Sequence, residues 1–317
     1  MCTYNGARFL KEQLESIAGQ TYLPLELVIC DDGSDDESVR ILQEFAHRAP
    51  FPVRVHVNEK NLGLTQNFGL AIALCEGDII ALSDQDDVWI PEKISHLDAE
   101  FGRSEEIGLV FSDADLIDVR SRRTGKKLWE TLGLEEEERA QLAKGRAIPE
   151  LFSGSIVTGA TMAFRRRFQG LILPIPDNLT VIHDGWIALL IIAVARISSV
   201  NLPLIQYRCH PGQRVGALAR RQAFAGVSNA LRRSNPYVET MAIARSVHQR
   251  LLDKGGGFDS GTALTELQRR IAHLQVRTDL PPARMQRVQA VLRELLTLRY
   301  HNYSNGFRSA AKDMFRV

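Results

Sequence analysis

Apolar positions in the first ninety residues switch repeatedly between two periods. Phe9, Leu10, Leu14 and Ile17 recur at helical spacing and predict a helix over about 7–20, after a stretch at 1–6 that reads as the end of a strand or the loop behind one. Leu25-Glu26-Leu27-Val28-Ile29-Cys30 is a strand that runs into Asp31-Asp32-Gly33-Ser34, and a helix follows over roughly 35–47. Val53-Arg54-Val55-His56-Val57 is the next strand, then Asn58-Glu59-Lys60-Asn61-Leu62-Gly63 and a helix to about Cys75. Ile79-Ile80-Ala81-Leu82-Ser83 reads as a buried strand and enters Asp84-Gln85-Asp86-Asp87. Strands alternating with helices at this spacing predict an α/β fold: a mostly parallel, Rossmann-like sheet with helices on both faces.

Beyond residue 100 the pattern thins. Gly108–Ser112 predicts a strand, Glu135 to Glu138 the solvated face of a helix, and Arg165-Arg166-Arg167 surface charge. The segment 154–164 holds Thr158-Gly159-Ala160-Thr161-Met162, small residues that allow close backbone approach. Residues 186–195 are apolar all round, as in a core helix, with His183-Asp184 at its start. The strand over Pro203–Tyr207 leads into a turn with Arg208 and His210. From about Leu218 only helical periodicity remains, over 236–252, 262–276 and 283–298, and the tail 307–317 predicts a short amphipathic helix docked on the protein. The expected organisation is a catalytic α/β domain over 1–217 and a helical C-terminal region over 218–317.

Composition adds one asymmetry. The formal net charge of +1 splits into −11 over residues 1–200 and +12 over 201–317. The acidic part suits a metal and an anion held by it; the basic part suits phosphate, an anionic membrane surface or the acidic part itself. No groove-reading module accompanies the basic charge, so a nucleic-acid partner is not expected. Cys2, Cys30, Cys75 and Cys209 have neither zinc spacing nor a small-domain disulfide pattern and read as reduced thiols of a cytoplasmic protein. The apolar run 186–195 is too short to span a bilayer.

Polar loops recur at the carboxyl ends of the predicted strands, the edge where open α/β sheets bind ligands, so one crevice is expected to collect Thr3, Asp31, Asp32, Asn61 and Asp84 to Asp87. Neither a dinucleotide nor a phosphate-loop glycine fingerprint is present. Three carboxylates in four positions repel one another, and a hard divalent cation is the common remedy; an N-cap and turn before Pro91 is the alternative. Asp184 is equally readable as a helix cap or as a catalytic group. Arg208 beside His210 at a strand end is suited to phosphate or metal.

In order and spacing these residues resemble the family 2 glycosyltransferases, with the glycosyltransferase A fold, and among them the bacterial rhamnosyltransferase-like members. The similarity runs from Thr3 to about Ala217. It implies that Thr3-Tyr4-Asn5 follows the first strand and that Asp31-Asp32-Gly33-Ser34 meets the nucleoside. Thr3, Tyr4, Asn5, Asp31, Asp32, Asn61, Asp84 and Arg208 are then expected to bind the donor nucleotide. Asp84-Gln85-Asp86 stands as the Asp-x-Asp motif that holds Mg²⁺ or Mn²⁺, with His210 as a further ligand. Asp184 is the implied catalytic base, and Thr161, His183 and Trp186 the implied acceptor contacts. Tyr207 to His210, followed by Val215-Gly216-Ala217, resembles the segment that closes over the diphosphate.

Two departures follow from the same resemblance. Only Met1 and Cys2 precede Thr3, so most of the family's interior first strand is expected to be missing, as from a start codon read too late or a shortened gene. Gly185 stands before Trp186 where the family often has paired aromatics, which alters acceptor contacts. The implied activity is inverting transfer of rhamnose or a similar sugar from a dTDP- or UDP-sugar donor. The acceptor is a saccharide or lipid-linked oligosaccharide in surface-polysaccharide synthesis, with the protein cytoplasmic and in peripheral contact with the membrane. The alternatives are a catalytically impaired, truncated carbohydrate-binding relative and a metal-dependent nucleotidyltransferase.

Overall fold

The computed structural model describes residues 1–143, 157–210 and 236–315. The elements in chain order begin with β1 (Cys2–Thr3), α1 (Ala7–Ala18), β2 (Leu27–Asp31), α2 (Ser38–Arg48), β3 (Val53–Val57) and α3 (Leu64–Leu74). They continue with β4 (Ile79–Ala81), β5 (Val88–Trp89), α4 (Lys93–Gly102), β6 (Ile107–Ile117), β7 (Arg123–Lys127), α5 (Leu128–Leu132) and α6 (Glu136–Ala143). After these come β8 (Met162–Arg165), α7 (Gln169–Ile172), α8 (His183–Ile192) and β9 (Arg196–Arg208). The chain closes with α9 (Pro236–Lys254), α10 (Gly261–Thr278), α11 (Arg284–Leu296), α12 (Arg299–Tyr303) and α13 (Gly306–Met314).

The α/β fold with helices on both faces is present, but parallel pairing is confined to part of it. β1, β2 and β3 form a parallel three-stranded sheet in that order. The second sheet runs β4, β8, β6, β9, β5, with β7 beside β6, and only its β6–β9 pair is parallel. The Cys2 N–H donates to Ser83 O at 3.2 Å, which ties the edge of the first sheet to the segment continuing β4. The strand end expected at residues 1–3 is therefore seen as the two-residue β1, with the Met1 amine donating to Val28 O at 2.8 Å.

Three strands lay outside the sequence pattern. β5 and β8 have two and four residues, too few for a period to register, and the exposed β7 carries no alternation. Arg165, expected on the surface, is largely buried; its guanidinium donates to the carbonyls of Ile107 and Phe101 at 2.9 and 3.0 Å and so ties α4 and β6 to β8. Every residue of α8 is buried, as its all-round apolar sequence requires.

The C-terminal helices dock on this core. α9 lies against α7 and α8, with Arg250 donating to Ile172 O at 2.8 Å and lying over the Trp186 ring. Farther along, Arg277 bonds Asp313 at 2.6 Å, Tyr300 donates to the same carboxylate at 2.9 Å, and His273 pairs with Glu294 at 2.7 Å. Burial holds His273 below its usual range, so its place in this network is as a neutral hydrogen-bonding group. All four cysteines are free thiols. Among the described residues no helix is long and apolar enough to cross a membrane.

Candidate functional site

The acidic loop begins where β4 ends. Gln13 of α1 donates to Ser83 Oγ at 2.7 Å, and Gln85 brackets the loop after β1: Tyr4 N–H donates to Gln85 Oε1 at 2.8 Å and Gln85 Nε2 donates to Tyr4 O at 3.1 Å. The middle residue of Asp84-Gln85-Asp86 thus locks two loops eighty residues apart. Gly6 makes room for it, since a Cβ there would stand 2.2 Å from Gln85 Oε1. Beyond the loop β5 pairs antiparallel with β9, and this brings His210 back so that its Nε2 meets Asp86 Oδ2 at 2.8 Å.

Asp87 turns inward and is buried. Its Oδ1 accepts from Arg208 N–H at 3.0 Å, and its Oδ2 has no hydrogen-bond partner among the described residues. Burial, then the charges of Asp86 and Asp84, push its carboxyl well above the usual range. The charge of Lys93, fully buried, acts on Asp87 in the opposite direction; its Nζ donates to Ala160 O at 2.8 Å and sits 3.8 Å from the Trp89 ring centroid. Burial depresses the Lys93 ammonium to about 7 against the pull of Asp87 and Asp84. From about pH 7 up to the ordinary lysine range the unfolded chain then binds the extra proton, so this group makes folding more favourable as pH rises through that window. The melting temperature of the wild type, less that of Lys93→Met, is expected to increase between pH 7 and 9; a flat difference in paired melts would show that Lys93 is not depressed.

The carboxylates after β2 serve the loops. Asp31 accepts from Thr3 Oγ1 at 2.7 Å and from the Ser34 N–H and hydroxyl at 2.8 and 2.7 Å. Asp32 accepts from Asn58 Nδ2 and from the N–H groups of Leu62 and Gly63 at 2.7–2.9 Å, while Asn61 Nδ2 donates to Asp32 O at 3.1 Å. Across the crevice, α8 presents His183 and Asp184 from its first turn. Asp184 caps no preceding residue; its carboxylate accepts from its neighbour Gly185 N–H at 2.7 Å and from Gly159 N–H at 3.2 Å. Gly159 lies close under His183: a Cβ there would stand 3.0 Å from His183 Nε2, so the ring would have to shift by a few tenths of an ångström. The His183 ring stacks on Phe68 of α3 at 3.9 Å.

These groups share one cavity of about 200 Å³. Of the residues singled out from the sequence, Thr3, Tyr4, Asp32, Asp84, Asp86, His183, Asp184 and His210 line it. Gln85, Gly159 and Tyr207, marked in the sequence only as parts of longer segments, line it as well, as does Asn67, which the sequence did not mark.

The others stand behind the wall. Asn5 accepts from Asp35 N–H at 3.0 Å, and Asp31 and Asn61 hold loops as described. Arg208, expected on the donor, is fully buried: its guanidinium reaches Glu12 Oε2 and Asp86 O at 2.6 Å each and Ser121 Oγ at 2.9 Å, fixing the acidic loop from behind. Thr161 and Trp186, expected at the acceptor, are buried too; Thr161 donates to Thr158 O at 2.9 Å and Trp186 to Ile172 O at 3.0 Å. Their hydrogen-bonding groups are spent inside the protein. Val215-Gly216-Ala217 lies outside the described residues.

The residues present fit a divalent cation. Asp84, Asp86 and His210 offer oxygen and imidazole donors on one wall, beside the buried Asp87, whose Oδ2 has no partner among the described residues. Among the described residues no group of three such side chains is placed to hold a metal ion as it stands, and Asp86 and His210 are bonded to each other.

Comparison with known proteins bears out the resemblance at the level of the family, without its rhamnosyltransferase-like part. The chain is 28% identical over 211 residues to an uncharacterized glycosyltransferase of Nostoc sp., covering 65% of this chain and 62% of the relative. It is 35% identical over 115 residues to the chondroitin synthase of Escherichia coli, covering 36% of this chain and 16% of that one. The chain thus spans less than two thirds of the length of these curated relatives. The crystal structure of S. aureus TarS 1–349 in complex with UDP has a similar fold, with a TM-score of 0.57, 15% identity and coverage of 98% of this chain and 88% of that one. Residues 1–168, more than half of the chain, match the model of glycosyl transferase family 2, and the chain belongs to that family.

Proposed function

We propose that this protein transfers a sugar, rhamnose or a similar one, from a dTDP- or UDP-sugar to a hydroxyl of a saccharide or lipid-linked acceptor, with inversion at the anomeric carbon. The observation that carries the reading is the single cavity with Asp84, Asp86 and His210 on one side and His183 and Asp184 on the other. The nucleotide lies on the Asp32 side of the cavity, where Tyr4 also lines the wall. Asp84, Asp86 and His210 would hold Mg²⁺ or Mn²⁺, which would supply Lewis-acid stabilisation of the leaving diphosphate.

Asp184 takes the proton of the attacking hydroxyl as general base. The N–H groups of Gly159 and Gly185 fix its carboxylate, and its place in the first turn of α8 suits a negative charge. Attack from the face opposite the diphosphate gives inversion in one displacement. Lys93 and Arg208 act from behind, keeping the acidic loop in register with the segment that carries Gly159. The protein acts on the cytoplasmic side, in surface-polysaccharide synthesis.

Calorimetric titration with UDP and with dTDP, each with Mn²⁺ and with EDTA, tests this reading. Binding of one of them that depends on the metal is expected; binding of neither, with the fold intact, would overturn it.

A further inference from the structure

The C-terminal helices carry a surface that the transfer reaction does not use. On α11, Met285, Leu292 and Leu296 are 77%, 47% and 85% exposed. Their spacing of seven and four residues keeps them within an arc of about 40°. Val291 and Leu295, about 100° round the helix from it, pack inward with Tyr300, Ala310 and Met314, so the exposed stripe is a second apolar face of a helix already anchored. Phe315 joins it at one end, its ring under Arg284 of the first turn, and is 64% exposed.

Charge decides what meets this face. From Arg284 to Phe315 the acidic side chains are Glu294 and Asp313 alone, both buried and paired, the first with His273 and Arg299, the second with Arg277. Arg284, Arg293, Arg308 and Lys312 are exposed. The exposed charge of this stretch is therefore entirely positive. A second copy placed face to face would bring like charges together. An anionic lipid surface answers both features, taking the apolar side chains below its headgroups and the cations at them.

We propose that α11 and the segment after it dock this protein on an anionic lipid surface, through Met285, Leu292, Leu296 and Phe315 with Arg284 and Arg293 beside them. The contact is peripheral and reversible, and high salt weakens it.

Sedimentation of the full chain with vesicles of phosphatidylcholine alone, or mixed with phosphatidylglycerol, tests this without any sugar transfer, so its outcome is separate from that of the donor site. Binding to the mixed vesicles only is expected. It should fall by about fivefold with Arg293→Gln, the weight of one cation at such a surface, and by about tenfold with Leu292→Ser/Leu296→Ser. No sedimentation with the mixed vesicles would overturn the proposal, as would equal binding to both kinds. A concentration-dependent oligomer that these variants disperse, without vesicle binding, would assign the face to a protein partner instead and would also overturn it.

Discussion

Asp184→Asn is expected to abolish sugar transfer while leaving nucleotide binding in place. The substitution preserves shape and keeps an amide oxygen for the shorter bond from Gly185 N–H, giving up only the longer one from Gly159 N–H, so the start of α8 stays folded. What is lost is the proton acceptor. Removing a general base typically lowers turnover by about 10²–10⁴-fold. The residue stands across the cavity from Asp84 and Asp86, so metal-dependent affinity for UDP or dTDP should be unchanged in calorimetry. Transfer retained near the wild-type rate would remove Asp184 from the mechanism. Transfer and binding lost together would show that the residue holds the site rather than reacts in it.

Asp86→Ala should have the next largest effect, with the opposite signature. It removes one of the two carboxylates offered to the cation and leaves His210 without the partner it now has at 2.8 Å. Turnover should fall by about 10²–10³-fold, as when one group that stabilises developing charge is deleted, and metal-dependent nucleotide affinity should fall with it. The fold should survive. Asp86 is one of the charges that push the buried Asp87 upward, so its removal relieves repulsion in the loop. A variant that binds nucleotide as the wild type does, with and without EDTA, would exclude Asp86 as a metal ligand.

The two variants separate because their side chains enter one cavity from different parts of the chain. The acidic loop depends on β4, on Gln85 across to Tyr4 and on Arg208 beneath; Asp184 depends on α8 and the turn before β8. Lys93 is the bond between them, since its ammonium lies in the field of Asp87 and donates to Ala160 O, next to Gly159. Nothing in the sequence marks Lys93, because a lysine in the first turn of an amphipathic helix reads as solvated. Its burial comes from Trp89 and β8, elements too short to carry a pattern.

Taken alone, the sequence determined the alternation of strands and helices through β4, the wholly buried α8, the helical C-terminal part, and the order of Asp31-Asp32, Asp84-Gln85-Asp86 and His183-Asp184 along the chain. These are legible because hydrophobic period and turn chemistry act between near neighbours, where one dimension suffices. The tertiary structure decided which of the marked side chains face the cavity. Asp84 and Asp86 face it while Asp87 turns inward, and Asp32 lines it while Asp31 is spent on Thr3 and Ser34. Arg208, Thr161 and Trp186 went to the interior because carbonyls accept their protons there, Asp86 O across the fold for Arg208 and the nearer Thr158 O and Ile172 O for the other two. A polar side chain is buried or exposed according to the partner it finds across the fold, and that partner is fixed by strand pairing between residues up to about a hundred positions apart, which no local pattern encodes.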